Sequence, residues 1–257
     1  MRRIWHTALA AAGLMIAPLV AYAHGWVGAG GSFYALTQGY GHFEGIYARG
    51  VFGEGSDTIW NWEADHGRIF GYEENYGVFG VTQTFTSRWY GYASLAASTN
   101  SDVVPSQRID ASLSYKAWPD KRLVATAGYT GIAFRDGHRD HGYWFNVTGY
   151  LPDRWVAMAG HGWTFSDPGA VLAQRSFVAA GYQHSGHMEA TVRYGWGAEA
   201  YLPIGPQLAL VDFHSHTLAF TWRQWLGRHF GTDVYLERFT SPYYQQTGGA
   251  IGVFYHF

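Results

Sequence analysis

Alternation with a period of two dominates the chain from residue 30 onward. In Arg108-Ile109-Asp110-Ala111-Ser112-Leu113-Ser114-Tyr115-Lys116, the apolar residues Ile109, Ala111, Leu113 and Tyr115 take one face. Arg108, Asp110, Ser112, Ser114 and Lys116 take the other. Glu189 to Tyr194, Thr217 to Arg223 and Asp233 to Glu237 repeat the pattern. Successive side chains of a strand point to opposite faces, so this period predicts strands lying between two different environments. Apolar stripes of helical period are missing. The pattern places strands near 30–38, 43–53, 56–66, 74–85, 87–98, 107–117, 121–133, 141–150, 153–165, 174–184, 187–196, 212–225, 228–239 and 248–257. That makes about 14 strands, with 12 or 16 as alternatives, an even number as bacterial barrels require. After the first 23 residues, prolines stand at 105, 119, 152, 168, 203, 206 and 242, all between the expected strands, as a residue that cannot donate to a ladder should.

Connections alternate in length. Short turns fall near residues 54, 86, 119, 152, 185 and 227, and longer loops near 67–73, 99–106, 134–140, 166–173, 197–211 and 240–247. A basic residue beside a tight turn recurs at Arg88, Arg122 and Arg154, a spacing of roughly 33 residues. Helical arrays share that spacing but need helix-period segments. Paired strands of about 11 residues with one short and one long connection account for it better.

A soluble sandwich would alternate too. Composition separates the two. Lys occurs only at Lys116 and Lys121, whereas the water-facing side of a soluble sheet usually carries many Lys and Glu. Of 257 residues, 34 are Gly and 18% are aromatic, and only 14% are charged. In lipid an open sheet edge is prohibitive, because unpaired backbone groups find no water, and closure removes the edge. The expected fold is therefore all-β: a closed antiparallel transmembrane β-barrel over residues 24–257, apolar face outward. Trp60, Trp62, Trp89, Trp155, Trp163, Trp196, Trp222 and Tyr235 lie near strand ends, where aromatic girdles belong.

The first 23 residues fit an address. Met1-Arg2-Arg3 is positive, Ile4 to Val20 is mostly apolar, and Ala21-Tyr22-Ala23 has the small-x-small form of a cleavage site. No later run reaches the ~18 apolar residues of a spanning helix. A signal peptide at 1–23, no Cys and strands throughout point to the bacterial outer membrane, with outer-membrane lipid and lipopolysaccharide as surroundings. A net charge of −2 gives no basic surface for nucleic acid. The absence of Cys excludes a disulfide framework, a thiolate metal site and a cysteine nucleophile.

Candidate chemistry is sparse. Serine hydrolase barrels that act on lipid carry His-x-Ser on one strand, and none of the 13 histidines has Ser two residues on. His214-Ser215-His216 could place two imidazoles on one face as half a zinc site, with no third ligand identifiable. The cluster Arg135-Asp136-Gly137-His138-Arg139-Asp140-His141 reads as a solvated outer loop able to meet lipopolysaccharide phosphates through Arg135 and Arg139. We therefore expect no catalytic, cofactor or metal site. The residues expected to line the lumen are Glu63, Asp65, Arg108, Asp110, Lys116, Glu189, Arg193, Arg223, Asp233 and Glu237. Two interiors fit this mixture of signs: a hydrophilic passage, or a lumen plugged by its own ion pairs and aromatics.

The chain ends Gly249-Ala250-Ile251-Gly252-Val253-Phe254-Tyr255-His256-Phe257. Gly252, Tyr255 and Phe257 resemble the glycine-x-x-hydrophobic-x-aromatic signal read by the barrel-assembly machinery, which is the expected assembly partner. Ile251 departs from the polar residue usual before that glycine. With this terminus, the strand order and segments such as Thr82-Gln83-Thr84-Phe85-Thr86-Ser87-Arg88-Trp89, residues 30 to 257 resemble the YaiO family of outer-membrane β-barrels. The resemblance implies an outer-membrane location and an association with envelope or exopolysaccharide export. The functional expectation is a non-catalytic barrel, porin-like or accessory to export of saccharides or other polar solutes. The alternatives are a lipid-modifying barrel enzyme and a structural partner of an envelope export complex.

Overall fold

In a computed structural model, the described residues are 24–99, 103–205 and 208–257; the expected signal peptide at 1–23 lies outside them. Fourteen strands follow in chain order. They are β1 (Gly25–Leu36), β2 (His42–Phe52), β3 (Thr58–Ile69), β4 (Tyr72–Thr84), β5 (Trp89–Thr99), β6 (Gln107–Ala117) and β7 (Leu123–Ala133), then β8 (Arg139–Tyr150), β9 (Trp155–Asp167), β10 (Val171–His184), β11 (Met188–Gly205), β12 (Leu208–Trp225), β13 (Phe230–Thr240) and β14 (Gln245–His256). Each expected strand is present. Every strand pairs antiparallel with its neighbours in sequence, and β1 pairs with β14 to close the ring. No helix of the described residues is long and apolar enough to cross a membrane.

The pleat sorts residues as the alternation predicted, with the apolar set outside, as expected. Ile46, Leu95 and Ile251 are each 65% exposed and Val253 is 62% exposed. A water-soluble fold does not leave Ile, Leu and Val uncovered on strands from β2 round to β14, and a lipid-facing wall requires it. Trp89, Trp155 and Trp163 are exposed on this outer face near the strand ends, and Trp196 is exposed on it at the middle of the long β11. Trp60, Trp62 and Trp222 share its parity. Tyr235 does not belong to the girdle. It shares the inner face of β13 with Asp233 and Glu237, and its hydroxyl donates to the Glu237 carboxylate, a partner the lipid face could not offer.

Both termini lie at one end of the barrel, where Gly25 and Phe257 exchange backbone hydrogen bonds. The tight turns at 53–57, 85–88, 118–122, 151–154, 185–187 and 226–229 share that end, which is the periplasmic one in such barrels. The opposite end departs from expectation in two places. The loop expected at 67–73 is a two-residue turn, Phe70-Gly71, with φ of 51° and 83°. Positive φ at both central residues is the turn whose twist matches a hairpin, and Gly71 adopts it without strain. The loop expected at 197–211 is mostly strand, because β11 and β12 run 18 residues each and rise together as an extended hairpin. Pro203 thus lies inside β11 rather than between strands. It sits where the register shifts between Pro203 and Gly205, a place where a missing ladder donor is tolerated.

Candidate functional site

All ten residues expected in the lumen fall on the inner face. Register fixes this: Arg49 and Tyr47 lie opposite Glu63 and Asp65, Ser94 opposite Asp110, Ala179 opposite Arg193, and Glu189 and Arg223 opposite each other, with Arg223 next opposite Asp233. The same parity runs from strand to strand around the closed ring. Arg108 grips Asp110 two residues along β6 with both Nε and Nη2, at 2.8 and 2.9 Å, and the Thr130 hydroxyl adds a third bond at 2.7 Å. Lys116 lies over the Tyr90 ring at 5.2 Å. Arg223 sits between the Trp26 and Phe254 rings, 4.2 and 4.8 Å from their centres. Glu237 accepts from Tyr235 and from Gln246.

Five further charged residues share this face: Arg49, Glu74, Asp140, Arg175 and Glu199. Arg49 meets Asp233 at 2.5 Å although they stand on β2 and β13, and Tyr47 reaches the same carboxylate at 3.3 Å. The reach is possible because Gly30 and Gly252, paired on the intervening β1 and β14, leave the wall bare. A Cβ on either glycine would strike the Tyr47 hydroxyl. Arg175 pairs with Glu199 and donates to Ser215 at 2.9 Å, while Ser215 in turn donates to Glu199 at 2.7 Å. Glu199 and Asp140 fall in stretches the alternation assigned to loops. Arg49 and Arg175 were legible as residues of opposite parity to Ile46 and Val178.

Four inner aromatic rings are seated on glycines of the wall. Trp144 covers Gly128, Phe177 covers Gly160, Phe254 covers Gly231 and Tyr47 covers Gly30, each ring resting on its own cross-strand partner. Only the missing Cβ gives a ring that space. Three cavities line the interior. The one at the periplasmic mouth has a volume of about 800 Å³ and is bounded by Trp26, Glu189, Arg223 and His256. A second, of about 500 Å³, is bounded by Trp144, Phe177, Arg175 and Arg193. The third, of about 350 Å³, lies against Asp65, Glu74, Tyr76 and Arg108.

Charge is unevenly placed around the ring. The bias is slight: on β3, β4 and β6 the carboxylates of Glu63, Asp65, Glu74 and Asp110 outnumber Arg108 and Lys116, whereas about half the ring away on β10, β11 and β12 Arg175, Arg193 and Arg223 outnumber Glu189 and Glu199. The outer loop cluster is not the solvated segment the sequence suggested. His138 and Asp140 are buried, because the extended β11 brings Tyr201 to stack on the His138 ring at 3.5 Å and 12°. Asp140 accepts from His138 Nε2 at 3.0 Å and from Ser166. Asp136 accepts from the Tyr201 hydroxyl and from the His138 amide. Burial alone would raise the Asp136 carboxyl, but those two bonds outweigh it and hold it below the usual aspartate range. Arg135 and Arg139 are exposed.

Two histidine arrangements bear on catalysis. His214 and His216 both point to the outer face, where His216 Nδ1 is engaged by the Tyr194 hydroxyl at 2.8 Å. His161 and Ser176 are cross-strand partners on β9 and β10, also on the outer face, with Nδ1 and Oγ 2.8 Å apart. A serine nucleophile needs its base oriented by a third group and free donors for an oxyanion. Here the flanking backbone amides are spent in the ladder, and the ring neighbour of His161 is Trp163. The pair satisfies two polar side chains in a lipid-facing wall.

The YaiO membrane beta barrel domain matches residues 25–202. The chain belongs to the YaiO membrane beta barrel family. Its place is accordingly the bacterial outer membrane. No curated protein matches the chain. Among solved structures it is similar to a monoaromatic hydrocarbon channel, CymD, at 8% identity and a TM-score of 0.60, over 91% of this chain and 88% of that one. It is also similar to a bacterial polysaccharide outer membrane secretin, at 10% identity and a TM-score of 0.57, over 91% and 98% of the two chains. A third likeness is to the outer membrane protein Omp33 of Acinetobacter baumannii, at 8% identity and a TM-score of 0.51, over 91% and 99%. At such identities the likeness is one of fold: a YaiO barrel with the architecture of outer-membrane channels.

Proposed function

We propose that this YaiO barrel is a non-catalytic passage for polar solutes, saccharides foremost, across the outer membrane, porin-like or as an exit for an export system. One observation carries the reading: the inner face of the closed ring carries charges of both signs, with an excess of carboxylates on β3, β4 and β6 and an excess of arginines on β10, β11 and β12 about half the ring apart, and four of its aromatic rings are seated on glycines of the wall. Opposed charges across a lumen polarise the water and dipolar solutes in it, and rings seated on the wall leave the cross-section clear. A plug would be built differently, from rings and chains projecting to the axis. The polysaccharide secretin shares the fold at a TM-score of 0.57, which agrees with a saccharide as cargo. Lipopolysaccharide at Arg135 and Arg139, the barrel-assembly machinery at the last strand and an envelope export complex are the partners this role implies.

Single-channel recording in planar bilayers tests it. Steady conductance is expected, and Arg223→Glu, which puts a carboxylate onto the arginine-rich side, is expected to shift ion selectivity toward cations. A silent protein that is correctly folded would reduce the barrel to a scaffold.

A further inference from the structure

We infer that the cavity of about 500 Å³ between β8 and β13 is a binding station for an anionic saccharide, one carrying a carboxylate on its ring. The inference deepens the reading of a saccharide passage and rests on it. Its volume is in the range of small-ligand sites, about 300–1,000 Å³.

The charged groups of its wall differ in how far they are engaged. Arg175 is paired with Glu199 and bonded to Ser215, while Glu237 accepts from Tyr235 and Gln246 and keeps its charge, which leaves the two arginines of the wall in excess over its one carboxylate. Arg193 is different. Among the described residues no carboxylate stands within salt-bridge distance of it, its side chain is exposed to the lumen, and its guanidinium rests over the Phe177 ring at 4.1 Å. A ring under a guanidinium fixes its plane without neutralising its charge. What remains is an oriented fork of N–H donors, the geometry that takes a carboxylate in two parallel bonds.

Trp144 supplies the second element. Its indole lies on Gly128, and the residue lines the cavity. A pyranose ring has an apolar C–H face that packs on such a platform, while its hydroxyls point sideways. Asn146 and Thr217, both in the cavity wall, stand where those hydroxyls need partners. Neither element alone selects the ligand. A simple anion needs no indole, and a neutral sugar needs no guanidinium left free of a salt bridge. The two together within one cavity select a sugar acid.

Bilayer recording with trigalacturonate and maltotriose as probes separates the outcomes. Trigalacturonate is expected to interrupt the current in a concentration-dependent way, and maltotriose at the same concentration is not. Arg193→Gln is expected to weaken the block about ten- to a hundredfold, the usual worth of a charged hydrogen-bonded contact. Trp144→Ala should weaken block by trigalacturonate while leaving inorganic phosphate without effect, as in the parent. Equal block by the two sugars, or block unchanged in Arg193→Gln, overturns the station and leaves the passage standing. If the protein carries no current, the passage fails, and calorimetric titration of the detergent-solubilised full chain decides the station by itself. Heat from trigalacturonate that disappears in Arg193→Gln supports it, and no heat overturns it. Heat-dependent gel mobility of each variant confirms that the barrel is folded.

Discussion

At the scale of single residues, this barrel is shaped by what glycine leaves out. An indole on Gly128 and a phenyl on Gly160 occupy volume that any Cβ would fill, so glycine there sets how much of the lumen is water. Gly160→Ala is expected to push Phe177 off the wall, lowering stability by about 1–3 kcal/mol, the ordinary cost of overpacking, and narrowing the lumen. Gly77→Ala is the matched control: the nearest atom to its added Cβ is the Glu63 carbonyl at 3.9 Å, so little change is expected. Denaturant titration in lipid vesicles, read by tryptophan fluorescence beside channel conductance, checks both. The glycines were countable in the sequence, but their purpose was not. Which glycine faces a ring depends on cross-strand register, and register is a property of pairs of strands. The same holds for His161 and Ser176, 15 residues apart in sequence and meeting only across β9 and β10.

At the scale of elements, period-two alternation carried nearly everything inside the membrane, because lipid on one side and water on the other impose it on every strand. Legibility fell at the outer rim. There β11 and β12 continue beyond the band, with water near both faces, and alternation no longer has a cause. The hairpin was invisible for that reason, and so was the lock it makes with residues 134–138. Tyr201→Phe keeps the stack on His138 but removes the bond to Asp136, and trypsin should then cut at Arg135 faster than in the parent. The lowered Asp136 carboxyl gives this lock a pH dependence of definite sign. The folded loop favours the ionised form, so the contribution is whole above the ordinary aspartate value, about 3.9, and is lost as pH falls through it toward the lowered one. Hydrogen exchange of residues 134–138, corrected for intrinsic rates, should quicken between pH 7 and pH 3. Tyr201→Phe should shrink that difference.

At the scale of the whole molecule, one seam decides whether the sheet is a cylinder or an open strip in hydrocarbon. That seam is β1 on β14, in register from Trp26↔His256 to Leu36↔Gln246. Its last bonds are made by Phe257, whose amide donates to the Gly25 carbonyl at 2.9 Å and whose carbonyl accepts from the Gly25 amide at 3.5 Å. Two roles therefore coincide at the terminus. The backbone of Phe257 completes the ladder, whereas its ring, with Tyr255 and Val253, continues the outward row of β14 that an assembly factor would meet before the ring closes. Removing the residue strikes both roles, and substitution separates them. Phe257→Ala keeps the closing bonds, so once folded in detergent it should unfold with the parent. If the aromatic ring is the part recognised in the cell, the same variant should reach the outer membrane several-fold less, as measured by the heat-modifiable band in membrane fractions. Parent-like yield from Phe257→Ala, with loss only on deletion, would assign the terminus to closure alone. An unpaired backbone edge is costly enough in lipid that closure by itself can explain why β14 must pair with β1 along its whole length.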